Sequence, residues 1–258
     1  AAGTGLSSHE LNMPGCYRDV KDQTVTAQFT VVDRDHAVAK AIFDKADEGF
    51  DKLYVLAWTT TPWTLPSNTA LCVGPRIDYV AVETFNPYNG LPGIYIMAKE
   101  RLNALLKVEG AELPLNDYKQ GDKVVPYKVI AEFKGTDLLG LHYAQLFPWV
   151  KPIDKVDDEL IDRSADAFRV IPGDYVTTED GAGIVHIAPN FGADDAFVAH
   201  AAGIPSLYMI NKKLETRPMV DLTGKYYNIE DLDEDFVKNF VNVELYKEYA
   251  GAWVKNAY

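Results

Sequence analysis

Residues 181–195, GAGIVHIAPNFGADD, decide how this chain is read. Three small residues open a turn, and the β-branched pair Ile184 and Val185 leads into His186. Pro189 then stops the strand, because its ring nitrogen has no hydrogen to continue a ladder. A helix starting near Gly192 places Asp194 and Asp195 in its first turn, where free amides and the helix dipole favour carboxylates. One of the two is expected to serve only the helix start. A histidine at a strand end beside an acidic helix mouth is a geometry that faces a ligand.

Outward from this stretch, strand signals dominate. Val25, Ala27, Phe29 and Val31 alternate with polar residues, the period of a half-buried strand. An apolar strand runs from Leu53 through Trp58, and further strands are expected at Tyr79–Thr84, Ile94–Met97, Val124–Phe133, Phe168–Ile171, Tyr175–Thr178, Ile184–Ile187 and Tyr208–Asn211. Asn-Pro, Asn-Gly and Pro-Gly pairs punctuate them. Short helices are expected at Lys99–Lys107 and Gly192–Ala202, and residues 36–47 read as a short helix or a loop. Phe236, Phe240 and Val243 fall four and three apart, on one helix face. This order predicts an α+β fold with a mainly antiparallel, β-barrel-like core and peripheral helices. The whole of 1–258 is expected to be one domain. Residues 1–20 form a turn-rich lead-in, 151–164 an acidic surface insertion, and 231–258 a C-terminal helical exit segment.

With 258 residues the chain can bury a sizeable core. No apolar run approaches the length of a membrane span, and the N-terminal residues have neither a basic nor an apolar signal region. A cytoplasmic protein with no membrane partner is expected. Cys16 and Cys72 lack CxxC spacing and read as buried free thiols. The net charge of −13 argues against a free-standing, non-specific nucleic-acid binder, which needs a basic field to displace phosphate counterions. The abrupt start and finish suggest a domain taken from a longer protein.

Dinucleotide, P-loop, zincin and nucleophile-elbow motifs are all absent. A metal site from His186, Asp195 and His200 fits no known ligand spacing, so no metal is expected. A second stretch carries more chemistry. In TTTPWTLPSN, Thr59, Thr60 and Thr61 put hydroxyls on both faces of a strand end beside Trp63, and Asn68 follows with an amide. Threonine favours strands for packing reasons alone, but Pro62 and Pro66 are foreign to a central strand.

TTTPWTLPSN followed far downstream by GAGIVHIAPNFGADD resembles the editing insertion (the connective polypeptide) of class I isoleucyl-tRNA synthetases. KGTDLLGLHYAQLF and MVDLTGKY also look like segments of that family, so the resemblance covers most of the chain. Valyl and leucyl editing domains differ in both motifs, typically carrying TTRP in the first and AHD in place of NFG in the second. One departure is Ala182, where the family usually has threonine. No aminoacylation signature is present, so ATP and Mg2+ would serve the missing core and no cofactor this domain.

The resemblance implies hydrolysis of the aminoacyl ester of Val-tRNA(Ile), with valyl-adenylate as a second substrate and the rest of the synthetase and the tRNA acceptor 3′ end as partners. Asp195 would anchor the α-ammonium. Thr59, Thr60, Thr61 and Asn68 would hold the substrate backbone or ribose and place a water. His186 and Trp63 would form the selective wall, and Ala188, Phe191 and Asp194 would contribute further substrate contacts. One methylene discriminates by only about 1–3 kcal/mol, a limit for which isoleucyl-tRNA synthetase is itself the standard example. The alternatives are a valyl or leucyl editing domain, a non-catalytic acceptor-end docking module, or a metal-dependent hydrolase.

Overall fold

The computed structural model describes residues 7, 13–17, 21, 23–157 and 159–256. Most of the lead-in at 1–20 lies outside the described residues, as do 257 and 258. Cys16 is exposed rather than buried, whereas Cys72 is buried as expected.

Two sheets build the core. The larger comprises β1 (Val25–Thr30), β2 (Leu53–Thr59), β4 (Asp78–Phe85), β5 (Pro92–Ala98) and β6 (Tyr127–Lys134), in the order β1-β2-β5-β4-β6. Its neighbours are antiparallel except β2 and β5. The apolar runs of β4 and β5 follow from cover on both faces. Tyr79, Ala81, Ile94 and Ile96 face the main core, while Val80, Val82, Tyr95 and Met97 face a second apolar layer. Pro126 has no donor for the ladder, and β6 starts after it rather than at Val124.

The smaller sheet has the order β10-β3-β9, from β3 (Ala70–Val73), β9 (Arg169–Pro172) and β10 (Ile184–Ile187). β3 is antiparallel to β10 and parallel to β9. On one face Leu71, Val73, Val170 and Ile184 join the main core. On the other, Ala70, Cys72, Ile171 and Ile187 are covered by Ala199 and Ile204. Bridges from Val31 to Tyr143 and from His142 to Arg169 link the two sheets. The fold is therefore mixed sheets with helices, and the expected barrel does not close. Two parallel pairs and single bridges stand where a continuous ladder would run.

The helices are α1 (Ala37–Phe43), α2 (Leu102–Leu105), α3 (Ala193–Ala201), α4 (Glu234–Phe240) and α5 (Val243–Tyr246). Phe197 of α3 is 76% exposed, so the apolar face read from its spacing is not buried. The segment read as an acidic surface insertion contains a hairpin of β7 (Ile153–Val156) and β8 (Glu159–Asp162), whose Ile153 is buried. Ile153 belongs to a separate core around Trp149, with Phe236, Tyr226 and Tyr246. The single helix expected through Phe236, Phe240 and Val243 breaks into α4 and α5. At the break Val241 bridges Val150, and the amide of Asn242 donates to Trp149 O at 2.7 Å. A last short pair, β11 (Met209–Ile210) with β12 (Thr216–Arg217), lies beside this core.

Residues 175–178 run from a turn at Tyr175 to a bend at Thr178 and form no strand. The guanidinium of Arg101 takes up carbonyls here, donating to Gly181 O at 2.9 Å, Glu179 O at 2.9 Å and Thr178 O at 3.4 Å. The turn then closes tightly. Gly183 has φ +70°, and a Cβ placed on it would meet Ala98 Cβ at 2.4 Å. Gly183→Ala is expected to cost at least about 2 kcal/mol, from backbone strain and overpacking together. A urea unfolding midpoint unchanged by the substitution would contradict this packing.

Candidate functional site

A cleft of about 530 Å³ opens where β2 ends against the turn that leads into β10. Thr59, Thr60, Thr61 and Trp63 line one side, and His186, Phe191 and Asp195 line the other. The two stretches singled out in the sequence, more than a hundred residues apart, thus meet in one cavity. They meet because β10 pairs with β3, and only the turn of Pro62–Ser67 separates β3 from β2.

The threonines differ in their surroundings. Thr59 is buried, and its Oγ1 accepts the Thr61 amide at 3.0 Å and lies 3.2 Å from Thr61 Oγ1. Thr60 is exposed and Thr61 half-buried. Pro62 starts the turn, and Thr64 within it supplies a contact that the sequence reading did not anticipate. Its hydroxyl donates to Thr61 O at 2.9 Å and lies 2.9 Å from His186 Nε2.

Hydrogen-bond accounting fixes the state of His186. The one hydroxyl hydrogen of Thr64 goes to Thr61 O, so Nε2 of His186 must be the donor, and Nδ1 is left as an unprotonated acceptor. Nδ1 is buried without a partner. Burial pushes the imidazole pKa down to about 4, so the ring is neutral at pH 7. His186 is a fixed, uncharged wall element.

Asp195 sits in the first turn of α3 but does not cap the helix. Its Oδ2 accepts the amide of Ala188 at 2.9 Å, tying the helix start to the end of β10. Gly192 gives it room, since a Cβ there would lie 2.9 Å from Asp195 Cγ. Burial raises the Asp195 pKa, the Ala188 amide lowers it, and Asp194 raises it further. A carboxylate held in a partly desolvated wall is poised for a cation.

Three residues assigned to substrate contact are not brought to the cleft. Asn68 is 2% exposed and spends its amide in the core: Nδ2 donates to Ala70 O at 2.8 Å, and Oδ1 accepts from Tyr143 at 2.7 Å. The side chain of Ala188 is buried, and its contribution is the amide that holds Asp195. Asp194 is exposed on α3, which fits the helix-start role expected for one of the pair. Conversely Trp58, Tyr175, Thr177 and Asp180 line the cleft without having been singled out. Tyr175 belongs to the segment misread as a strand. Ala182 contributes to the cleft while packing into the second apolar layer with Leu56 and Tyr95, so a threonine there would carry its hydroxyl into apolar surroundings. Among the described residues no three His, Cys, Asp or Glu side chains gather as a metal site.

The depressed pKa of His186 ties stability to pH. Unfolded, the ring takes a proton near its ordinary 6.5; folded, it does so only near 4. The unfolded chain therefore binds more protons between these values, and stability falls as pH drops from 6.5 towards 4. The loss is about 3 kcal/mol at 1.36 kcal/mol per pH unit. His186→Gln should flatten this part of the stability–pH curve in urea titrations; an unchanged slope would contradict a buried neutral ring.

No family model matches the chain. Among curated proteins, it is 64% identical over its whole length to the isoleucine–tRNA ligase of Bacteroides thetaiotaomicron, covering 21% of that protein. It is 53% identical over its whole length to the isoleucine–tRNA ligase of Porphyromonas gingivalis, again covering 21%. The chain thus spans about a fifth of the length of these relatives. Among solved structures it resembles GlLeuRS-CP1, with 16% identity, a TM-score of 0.50, and coverage of 91% of this chain and 92% of that one. Matched along its whole length by these ligases and built on the CP1 editing-domain fold, the chain belongs to the isoleucyl-tRNA synthetase family, as one segment of it.

Proposed function

We propose that this domain hydrolyses the aminoacyl ester of tRNA(Ile) mischarged with valine, as the proofreading segment of an isoleucine–tRNA ligase. The observation that supports the reading is the meeting of the threonine strand end with Asp195 across one cleft. Such a cleft suits a small ester with a cationic α-amine at one end and a ribose at the other. Its volume lies in the range of small-ligand sites.

In this reading Asp195 binds the α-ammonium through the carboxylate oxygen that Ala188 leaves free. The incoming cation offsets the desolvation of the carboxylate, so an uncharged look-alike is refused. Thr60 and Thr61 hold the substrate backbone and ribose and place a water against the ester carbonyl. Thr59 shapes that strand end. The water oxygen bonds to the carbonyl carbon, the ester bond to the ribose oxygen breaks, and that oxygen leaves with a proton, giving valine and uncharged tRNA. Positioning carries much of the rate, assisted by the neighbouring ribose hydroxyl.

His186 takes no proton in this scheme, since burial keeps it neutral and its Nε2 is engaged by Thr64. Together with Trp63 it forms the wall that admits valine and rejects isoleucine. Valyl-adenylate, which carries the same ammonium and acyl group, is a second substrate of the same cleft. ATP and Mg2+ serve the aminoacylation part of the ligase, the acceptor 3′ end enters from the bound tRNA, and the protein works in the cytoplasm. Among the described residues, no helix is long and apolar enough to cross a membrane.

The test is deacylation of Val-tRNA and Ile-tRNA by full-length ligase carrying Asp195→Ala. Removing one partner of a desolvated ion pair costs about 2–5 kcal/mol, so kcat/KM for Val-tRNA should fall about 30-fold or more. The wild-type KM for Val-tRNA should also rise as pH falls, because protonation of Asp195, whose pKa burial has raised, removes the anchor. Clearance of Val-tRNA at the wild-type rate by the variant would refute the assignment of Asp195.

A further inference from the structure

A second concave site lies apart from the cleft, beside the core of Trp149. It is a cavity of about 650 Å³ between two tight turns, and its lining includes Asp221, Lys225 and Tyr226 of the MVDLTGKY segment, to which the cleft gives no role. In the first turn Asn211 Oδ1 accepts the amides of Lys213 and Glu215, at 2.9 and 3.0 Å. In the second, Asp221 Oδ1 accepts the amides of Thr223 and Lys225, at 2.8 and 3.1 Å. Each turn is locked by its own side chain, and each presents lysine to the cavity: Lys212 and Lys213 from one, Lys225 from the other.

Charge at this place runs against the rest of the chain, whose net charge is −13. The three carboxylates lining the cavity are already engaged. Glu215 pairs with Arg217 at 2.5 Å, Asp221 is held by its turn, and Asp231 accepts from Asn228 at 3.1 Å. Glu215 and Asp221 both have lowered pKa values, through hydrogen bonds from Asn211 and from the turn amides that outweigh desolvation. Among the described residues, Lys212, Lys213 and Lys225 have no carboxylate within ion-pair distance. Lys225 instead lies over the ring of Trp253, 5.0 Å from its centroid. Three ammonium groups thus converge on one cavity from preordered turns, with an exposed aromatic alongside.

We propose that this cavity is an RNA backbone site, in which Lys212, Lys213 and Lys225 contact phosphodiesters. The physical basis is counterion release: lysines with no carboxylate in ion-pair contact gain by replacing the cations condensed on a nucleic acid. Preordered turns lower the entropy lost on binding. In an acidic domain one local cationic cavity supplies weak, positioned attachment, which suits a segment that receives an RNA end without holding the RNA body. The inference rests on the editing reading only in taking RNA as the partner.

The experiment uses the full chain and a short unacylated RNA duplex bearing a fluorophore, with anisotropy read across a salt series. The probe carries no ester, so its result is independent of whether the cleft hydrolyses anything. A variant with Lys212→Gln, Lys213→Gln and Lys225→Gln is compared with a charge-matched control, Lys40→Gln, Lys45→Gln and Lys238→Gln. Three lost phosphate contacts should reduce the slope of log K against log salt by about 2.7. Between about 50 and 200 mM salt, wild type should therefore lose about 40-fold more affinity than the cavity variant. The control should keep the wild-type slope. Equal slopes for the two variants would overturn the proposal. So would equal binding of polyglutamate and RNA by wild type, which would mark the cavity as a site for acidic protein.

Discussion

The cleft exists because two pieces of backbone approach closer than side chains permit. A Cβ on Gly181 would lie 2.8 Å from Trp58 Cβ, and one on Gly183 would lie 2.4 Å from Ala98 Cβ. Both glycines have positive φ, and between them Ala182 O accepts the Ala98 amide at 2.9 Å. This contact closes the start of β10 onto the ends of β2 and β5. The threonine strand end and the histidine strand consequently share one cavity, and the larger sheet supports them both. Arg101 holds the outer side of the same turn through three carbonyls.

Two titratable groups on that frame, His186 buried and Asp195 half-buried, differ in the hydrogen bonds available to them. His186 loses its charge, because burial desolvates the ring and its Nδ1 has no acceptor opposite it for a second N–H. Asp195 is less deeply placed and keeps one backbone amide, which supports the ionised form against desolvation. Desolvation is the leading influence on both groups, and a backbone amide opposes it only at Asp195. Cys72, on the far face of the small sheet, is also dominated by desolvation, which outweighs its hydrogen bond with Tyr175, and its thiol is pushed up to about 11.

Much of the fold was legible because its strands obey simple periods. Val25 to Thr30 alternates, β4 and β5 are apolar throughout because both faces are covered, and Pro126 and Pro189 mark strand boundaries. The errors have definable causes. Residues 175–178 have strand composition, but Arg101 takes the carbonyls of the adjoining turn. The helix expected through Val243 breaks where Val241 and Asn242 pair with Trp149 and Val150. The barrel remained open because sheet closure depends on which distant edges meet.

By itself the sequence determined the two motifs, the strand end at Pro62, the glycine turn and the acidic start of α3, because each is fixed by the conformational limits of its own residues. It also determined the family. Only the tertiary structure decided which side chains of those motifs face the cleft. Asn68 and Asp195 look equally available as letters, yet Asn68 turns to Ala70 and Tyr143 in the core while Asp195 faces the cavity. The partnership of Thr64 with His186 likewise spans 122 residues. Hydrogen-bond supply and desolvation are properties of the packed interior, and they come into being only when distant segments meet.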